Sequence, residues 1–222
     1  MVAPDAERSA VGHAITTLTP LRIKEFRRGR QTMGYATNGT PADCVKLGVN
    51  ALFERPPDLV VSGINLGPNT ATNVIYSGTV SAATEARILG IPSIAVSLDA
   101  GPEPYWSFAA VIGRRVSLQV LERGLPPQVL LNVNVPNLPR AQIRGIRVTR
   151  QGDSVYQQRY ELREDPRGQP YYWLAGSYQM RDDDPDTDAW ALANGYVSVT
   201  PVTFDLTAHS QRQALAAWRW RL

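Results

Sequence analysis

The sequence predicts an α/β fold, in which helices cover both faces of a parallel sheet, followed by a different arrangement at the carboxyl terminus. Through the first two-thirds of the 222 residues, short β-branched runs alternate with stretches of helical character, as is typical of parallel sheets. From about Ile143 the pattern changes to a meander of extended segments, the later ones carrying tyrosine and tryptophan. We therefore expect a core in residues 1–142 and a carboxyl-terminal extension in residues 143–222.

The first helix of the core has a clear start signal. Thr40 is a good N-cap residue, Pro41 fits the first helical position, and Asp43 places a negative charge in the first turn. This helix is expected to run to Phe53 and to stop before two prolines.

The other elements are predicted from the same periodicities and stop signals. A loop of about fifteen residues, Ile64 to Gly78, is the longest interruption, and a loop of that length in a compact domain is usually functional. Ligands of α/β folds bind at the carboxyl ends of the strands, where this loop lies. The predicted strands are Leu18 to Phe26, Thr32 to Thr37, Asp58 to Gly63, Pro92 to Ser97, Val129 to Val135, Gly145 to Thr149, Tyr156 to Leu162, Pro170 to Leu174 and Tyr196 to Val202, and the further helices are Thr79 to Leu89, Phe108 to Arg123, Ala189 to Asn194 and Ala208 to Leu222.

The composition excludes several classes of protein. With 43% hydrophobic residues the chain is not wholly disordered, and no stretch approaches the roughly 18 apolar residues that a membrane helix needs. Cys44 is the only cysteine, and His13 and His209 are the only histidines, which excludes a disulfide framework and a zinc cage. Any metal is therefore expected on oxygen ligands, as for magnesium, manganese or calcium.

Charge and the start of the chain bear on location and partners. The first residues lack the charged and apolar regions of a signal peptide, and with a single unpaired cysteine we expect a cytoplasmic protein without a membrane partner. The net charge is +3, and nearly all the basic residues are arginines that are scattered along the chain. Because no basic block with interleaved aromatic residues is present, a nucleic-acid partner is not expected.

The most informative segment joins a predicted strand, a loop rich in glycine and asparagine, and a helix start, over Val61 to Asn69 and Tyr76 to Val80. Free N–H groups at a helix start form a ready phosphate site. The hydroxyls of Ser77 and Thr79 add donors, and Gly78 allows close approach of the backbone. The alternative is a helix cap and nothing more. Neither the Walker pattern nor the dinucleotide fingerprint is present.

Other candidate residues leave alternatives open. Asn65 and Asn69, four residues apart, supply oxygen ligands or amide donors, or serve as turn residues. Ser9 and His13 suggest a nucleophile pair, but Ser9 lacks the nucleophile elbow, so the alternative is a polar surface loop. The acidic run 182–188 does not have the glycine and glutamate of an EF-hand loop and is expected to be a solvated turn.

Five segments together are similar to the SurE (stationary-phase survival protein) family of metal-dependent 5'-nucleotidases. The likeness spans nearly the whole chain, and the loop that begins Ser-Gly-Ile-Asn, followed by Tyr-Ser-Gly-Thr-Val, is highly specific. It implies a Rossmann-like α/β domain, a three-layer sandwich, with a carboxyl-terminal hairpin and helix used in assembly of a dimer or tetramer. The five segments are Ala3 to His13, Gly39 to Val45, Val61 to Asn69, Tyr76 to Val80 and Thr187 to Pro201.

The resemblance also implies site residues, a cofactor and substrates. Ser9 and Asn65 match two ligands of the family's metal, which would be magnesium or manganese, with calcium as a substitute, and both are expected to be catalytic. Asn69 and the turn Ser77, Gly78 and Thr79 match the family's phosphate-binding surroundings. The implied activity is hydrolysis of nucleoside 5'-monophosphates, with 3'-nucleotides and short polyphosphate as further substrates.

The chain departs from the family at its start. The family's other metal ligands are a consecutive Asp-Asp pair in an Asn-Asp-Asp-Gly turn after the first strand, and the chain has no such turn. We therefore expect a first strand–helix unit of about thirty residues to be missing. Met1 stands where the family usually has a buried valine. A GTG valine codon that was misread as a start would therefore account for the missing strand–helix unit. Weak metal binding and little activity are expected of these residues, and the alternative is a non-catalytic module that binds a nucleotide or phosphate.

Overall fold

The computed structural model describes residues 1–220, apart from the side chains of residues 154–158 and 177–178. Strands and α-helices alternate through most of these residues, and α1 continues into a π-helical turn, Gly48–Leu52. In chain order the elements are β1 (Val2–Pro4), β2 (Ile23–Arg28), β3 (Gln31–Thr37), α1 (Pro41–Leu47), β4 (Val60–Leu66), α2 (Asn73–Tyr76), α3 (Gly78–Ile88), β5 (Ser93–Leu98), α4 (Trp106–Arg123), β6 (Val129–Val135), β7 (Gly145–Val148), β8 (Ser154–Glu164), β9 (Pro170–Met180), α5 (Asp188–Ala193), β10 (Tyr196–Thr203) and α6 (His209–Ala216).

A five-stranded sheet with the order β4-β5-β6-β10-β7 forms the centre of the fold. Strands β4, β5 and β6 are parallel, whereas β10 runs antiparallel to β6 and parallel to β7. Apolar residues of β5 such as Ile94 and Val96 pack against Ile112 of α4, and Ala95 packs with Ala83 of α3. Because neighbouring residues of a strand point to opposite faces, the sheet is covered by helices on both faces, as predicted.

A smaller sheet with the order β1-β3-β2 lies beside the central one. Strand β1 is parallel to β3, and β2 is antiparallel to it. Strand β1 ends one sheet and β4 ends the other, and an apolar groove of about 490 Å³ is lined by the first residues of both, together with Val45 and Phe53. The carboxyl ends of β1 and β4 both border a second, more polar cleft, so the two strands run in the same direction.

The carboxyl-terminal residues take two roles in the fold. Strands β7 and β10 complete the central sheet, so residues 143–222 share that sheet with residues 1–142. Strands β8 and β9 form a ribbon of their own, with 11 residues in each strand. This ribbon is longer than the predicted segments because cross-strand pairing continues from Glu164 and Pro170 at the turn to Ser154 and Met180.

Other predicted elements also have different bounds in the structure. Strand β2 runs from Ile23 to Arg28 instead of from Leu18 to Phe26, because its pairing with β3 begins at Ile23. The predicted loop from Ile64 to Gly78 contains the short helix α2. Strand β4 continues to Leu66 instead of ending at Gly63, because Asn65 and Leu66 still pair with β5 after an irregularity in the register. The terminal helix ends at Ala216. The indole N–H of Trp220 donates to the main-chain oxygen of Leu215 at 3.1 Å, an oxygen that would accept a main-chain N–H in a longer helix. Leu222, its predicted end, lies outside the described residues.

The capping signal of the first helix is confirmed. The Asp43 N–H donates to the Thr40 hydroxyl at 3.1 Å, and the Thr40 N–H donates to the Asp43 carboxylate at 2.9 Å. Cys44 follows in this helix as a buried residue, and burial, with a smaller effect of the Asp43 charge, raises the pKa of its thiol to about 12. Cys44 is therefore a small core residue without nucleophilic character at neutral pH.

Candidate functional site

A polar cleft of about 750 Å³ opens at the carboxyl ends of β1 and β4. Its walls are the loop after β1, the loop after β4 and the start of α3. This is the position at which α/β folds bind ligands. The metal- and phosphate-binding residues that the resemblance predicts all line this one cleft: Ser9, Asn65, Asn69, Ser77, Gly78 and Thr79.

The start of α3 supplies main-chain donors to the cleft. Ser77 is the N-cap residue, and its hydroxyl oxygen accepts the N–H of Val80 at 3.1 Å. The N–H groups of Gly78 and Thr79, at the first two helical positions, have no partner within a helix by its geometry. They lie at the positive end of the helix dipole, where an anion is stabilised. The capping interpretation is thus correct for Ser77 and is compatible with anion binding by the two residues that follow.

Asn65 and Asn69 hold different parts of the loop after β4. The Asn65 side-chain N–H donates to the carbonyl of Gly67 at 2.7 Å, and its Oδ1 atom has no partner in the described part of the chain. Asn69 is buried, and its side-chain N–H donates to the Ser97 hydroxyl at 2.7 Å. Asn65 therefore offers an oxygen ligand, whereas Asn69 offers the second N–H of its carboxamide.

The loop after β1 carries Ser9 into the cleft. The Ser9 hydroxyl donates to the Glu7 carboxylate at 2.6 Å, and both residues line the cleft. Arg8 lines it too, and its guanidinium donates to the Asn38 carbonyl at 2.7 Å. Sequence reasoning gave no role to Glu7 or Arg8, although their position beside Ser9 was the signal available.

The side chain of His13 contacts Glu85 and not Ser9. Its Nε2 atom lies 2.7 Å from the Glu85 carboxylate, which also binds the Lys46 ammonium at 3.0 Å. The Glu85 side chain is buried, so these contacts attach the loop after β1 to α1 and α3. The structure thus gives Ser9 a carboxylate partner and gives no support to a Ser-His nucleophile pair.

The acidic run 182–188 lies apart from the cleft. Arg150 forms ion pairs with Asp182 at 2.8 Å and with Asp184 at 3.2 Å. The hydrogen bond from Arg150 lowers the pKa of Asp182. Residues 183–186 are exposed, as predicted for a solvated turn. The prediction is wrong for Thr187 and Asp188, which are fully buried, because the Asp188 carboxylate accepts main-chain N–H groups of Ala71 and Gly152.

The oxygen atoms of the cleft suit a hard cation. Ser9 offers a hydroxyl, Asn65 an amide oxygen and Glu7 a carboxylate, the ligand types that magnesium and manganese prefer. Among residues 1–220 with described side chains, no group of three or more His, Cys, Asp or Glu side chains could hold a metal ion. The donor set thus fits a hard divalent cation in chemistry and is poor in carboxylates.

A set of buried polar residues behind the cleft was missed by sequence reasoning. Asn132 and Asn134 of β6 and Asp188 of α5 are fully buried, and each of them bonds to the main chain of the loop after β4. Burial raises the pKa of Asp188, although main-chain N–H groups, among them that of Ala71, hydrogen-bond to its carboxylate and oppose the shift. The available signal was the pair of asparagines at alternate positions of an apolar strand.

Comparisons with known proteins agree on one family. A family model described as "Survival protein SurE" matches residues 1–158. The 5'-nucleotidase SurE of Syntrophobacter fumaroxidans is 55% identical over 98% of this chain and 87% of that protein. The 5'-nucleotidase SurE of Pelotomaculum thermopropionicum is 52% identical over 97% of this chain and 82% of that protein.

A solved structure gives the same result for the fold. The crystal structure of the SurE protein from Aquifex aeolicus matches with a TM-score of 0.81 and 46% sequence identity. The match covers 96% of this chain and 86% of that chain. The Rossmann-like α/β fold expected from the resemblance is thereby confirmed. No helix within residues 1–220 is long and apolar enough to cross a membrane.

Proposed function

The chain belongs to the SurE family, and we propose that it acts as a 5'-nucleotidase, which splits nucleoside 5'-monophosphates into nucleoside and phosphate. The observation that carries the proposal is that the six predicted site residues line one cleft at the carboxyl ends of the strands. This cleft combines amide donors for a phosphate with oxygen ligands for a cation. A phosphomonoester bound there would meet both kinds of group.

The start of α3 and Asn69 would bind the phosphoryl group. The N–H groups of Gly78 and Thr79 point out of the helix start and donate to phosphate oxygens. Asn69 and Arg8 line the same cleft, and the second N–H of the Asn69 carboxamide and the Arg8 guanidinium would add donors. These donors are held by the fold before the substrate arrives, so charge that develops on the phosphoryl oxygens is stabilised without reorganisation of the site.

Ser9 and Asn65 would hold a divalent cation, which we propose to be magnesium or manganese. When bound, such an ion neutralises phosphoryl charge and makes a bound water more acidic. Glu7 adds a negative charge beside Ser9 and orients the Ser9 hydroxyl through their 2.6 Å hydrogen bond. Because Glu7 is the one carboxylate among the residues that line the cleft, we expect weak cation binding and slow hydrolysis.

Release of phosphate from AMP, with manganese or magnesium added at millimolar concentration, tests this function. We expect slow release that stops when EDTA is added and falls at least tenfold in Asn65→Ala and in Ser9→Ala. Asn50→Ala is the matched control, because Asn50 lies outside the cleft and bonds to the main chain of Lys46. Absence of any metal-dependent release by the unaltered chain, or an equal loss in all three variants, would contradict the proposal.

We further propose that the ribbon of β8 and β9 joins copies of the chain into a dimer or tetramer. Leu162 pairs with Tyr172 and Tyr160 with Leu174, so these four residues share one face of the ribbon. All four are exposed, which is a costly arrangement for a ribbon in water. A two-stranded ribbon is marginally stable alone, and a partner surface would support it.

A further inference from the structure

The face of the central sheet that packs on α3 changes in character along its strands. At one end it is apolar, with Ala95 and Leu130 in contact with α3. Two residues further along the same strands, Ser97 and Asn132 point to this face and are completely buried, and Asn134 follows. Buried carboxamides are unfavourable unless their hydrogen bonds are made. We therefore expect the buried side chains of this polar region to make hydrogen bonds to other buried groups.

The two asparagines of β6 hold the main chain of a single residue, Asn69. The Asn69 N–H donates to Oδ1 of Asn134 at 2.8 Å. The Asn69 carbonyl accepts from the side-chain amide of Asn132 at 2.7 Å and from that of Asn134 at 3.2 Å. Oδ1 of Asn132 is buried without a partner in the described part of the chain, so this residue retains an unpaired acceptor while it holds Asn69.

The same loop is held at a second residue two positions further on. Ala71 is fully buried and has a φ of +50°, a backbone conformation that residues other than glycine rarely adopt. Its N–H donates to the Asp188 carboxylate at 2.9 Å, and its carbonyl accepts from the Gln151 side chain at 2.8 Å. Side chains of other elements thus hold the backbone of the loop at Asn69 and at Ala71, and Asn69 also lines the cleft.

We propose that Asn134 is a positioning residue for the hydrolysis. Both polar atoms of its carboxamide bond to the main chain of Asn69, which is one of the residues that line the cleft. Asn134 thereby fixes the direction in which Asn69 presents its N–H to the phosphoryl group. This inference rests on the proposed function, because it assigns a role within that reaction.

The same polar region contains a matched control. Thr149 is buried, and its hydroxyl lies 2.8 Å from the hydroxyls of both Ser198 and Thr200. Ser198 is the register partner of Asn134 across β6 and β10. Thr149→Val therefore removes a buried polar group beside the asparagines without touching Asn69, whereas Asn134→Leu removes both bonds to Asn69 and keeps the number of side-chain heavy atoms.

Steady-state kinetics with AMP and manganese compare the two variants. For Asn134→Leu we expect kcat to fall at least tenfold and KM to change less than threefold, since the lost contact acts on charge that develops during the reaction. For Thr149→Val we expect both constants within twofold of the unaltered chain. A kcat within twofold for Asn134→Leu, or an equal loss in Thr149→Val, would overturn the proposal.

Hydrogen exchange at the Asn69 amide separates this inference from the proposed function. We expect strong protection in the unaltered chain and in Thr149→Val, and at least a tenfold faster exchange in Asn134→Leu. If the unaltered chain does not release phosphate, the proposed function and the role of Asn134 in it both fail. The exchange rates then decide whether Asn134 holds Asn69, and an unchanged rate in Asn134→Leu would refute that contact as well.

Discussion

Among single residues of the site, Gly78 is explained by the close packing of α3 against α1. A Cβ atom at this position would lie 2.8 Å from Cγ of Pro41 in α1. We expect Gly78→Ala to lower the free energy of unfolding by about 1–3 kcal/mol, because the start of α3 would have to move away from α1. Urea unfolding followed by circular dichroism measures the change.

Gly113 in α4 is the matched control for this substitution. A Cβ atom there would lie 3.6 Å from Val96, which is ordinary van der Waals contact. We expect Gly113→Ala to leave stability unchanged or to raise it by about 0.5–1 kcal/mol, the usual gain when glycine is replaced by alanine within a helix. Equal destabilisation by the two alanines would show that close approach to Pro41 is not the reason for glycine at position 78.

At the scale of elements, the capping box ties the stability of α1 to pH. Burial alone would raise the pKa of Asp43, but hydrogen bonds from Thr16 and Thr40 outweigh it and hold this pKa below its ordinary value. Because the native pKa is then lower than the unfolded one, the stabilisation is complete above about pH 4 and is lost as the pH falls through the native pKa.

Replacement of the N-cap residue tests this coupling. We expect Thr40→Ala to lower the free energy of unfolding by about 1 kcal/mol at pH 7, with a smaller difference from the unaltered chain at the acid end of the stability range. Thr19→Ala is the control, because Thr19 is exposed and lies outside the capping box. Urea midpoints at several pH values measure the difference. A difference that is constant with pH would argue against a role for the Asp43 charge.

The ribbon of β8 and β9 gives a prediction about assembly. We expect the unaltered chain to run as a dimer or tetramer and the double variant Leu162→Lys with Tyr172→Lys to run as a smaller species, because both lysines lie on the apolar face of the ribbon. Size-exclusion chromatography with light scattering measures the mass. Val111→Lys changes an exposed apolar residue of α4 and should leave the mass unchanged. A monomeric unaltered chain would refute the proposed role of the ribbon.

At the scale of the whole molecule, local sequence patterns explain much of the fold. Strand β6 lies at the predicted residues, Val129–Val135, because its apolar run and flanking turns are local signals. The site residues gather in one cleft because the carboxyl ends of parallel strands lie together, a rule that needs no knowledge of contacts.

Other features depend on partners that are distant in sequence. Strand β4 continues past Gly63 because β5 pairs with it, and nothing within β4 itself signals that pairing. The role of Asn134 depends on its hydrogen bonds to Asn69, which lies 65 residues away in the sequence. An asparagine in an apolar strand could therefore be recognised as a loop anchor only in the folded chain. The ion-paired state of the acidic run likewise depends on Arg150, 32 residues before Asp182.

The proposed function requires that the cleft at the start of α3 binds the phosphate of a nucleoside monophosphate. This binding can be followed by NMR through the amide resonances of the isotopically labelled chain while AMP is added, with Gly101 and Gly124, outside the cleft, as internal references. We predict that the amide signals of Gly78 and Thr79 shift progressively and saturate, while those of Gly101 and Gly124 stay in place. Unchanged signals of Gly78 and Thr79 at saturating AMP would show that the phosphate does not bind at the start of α3.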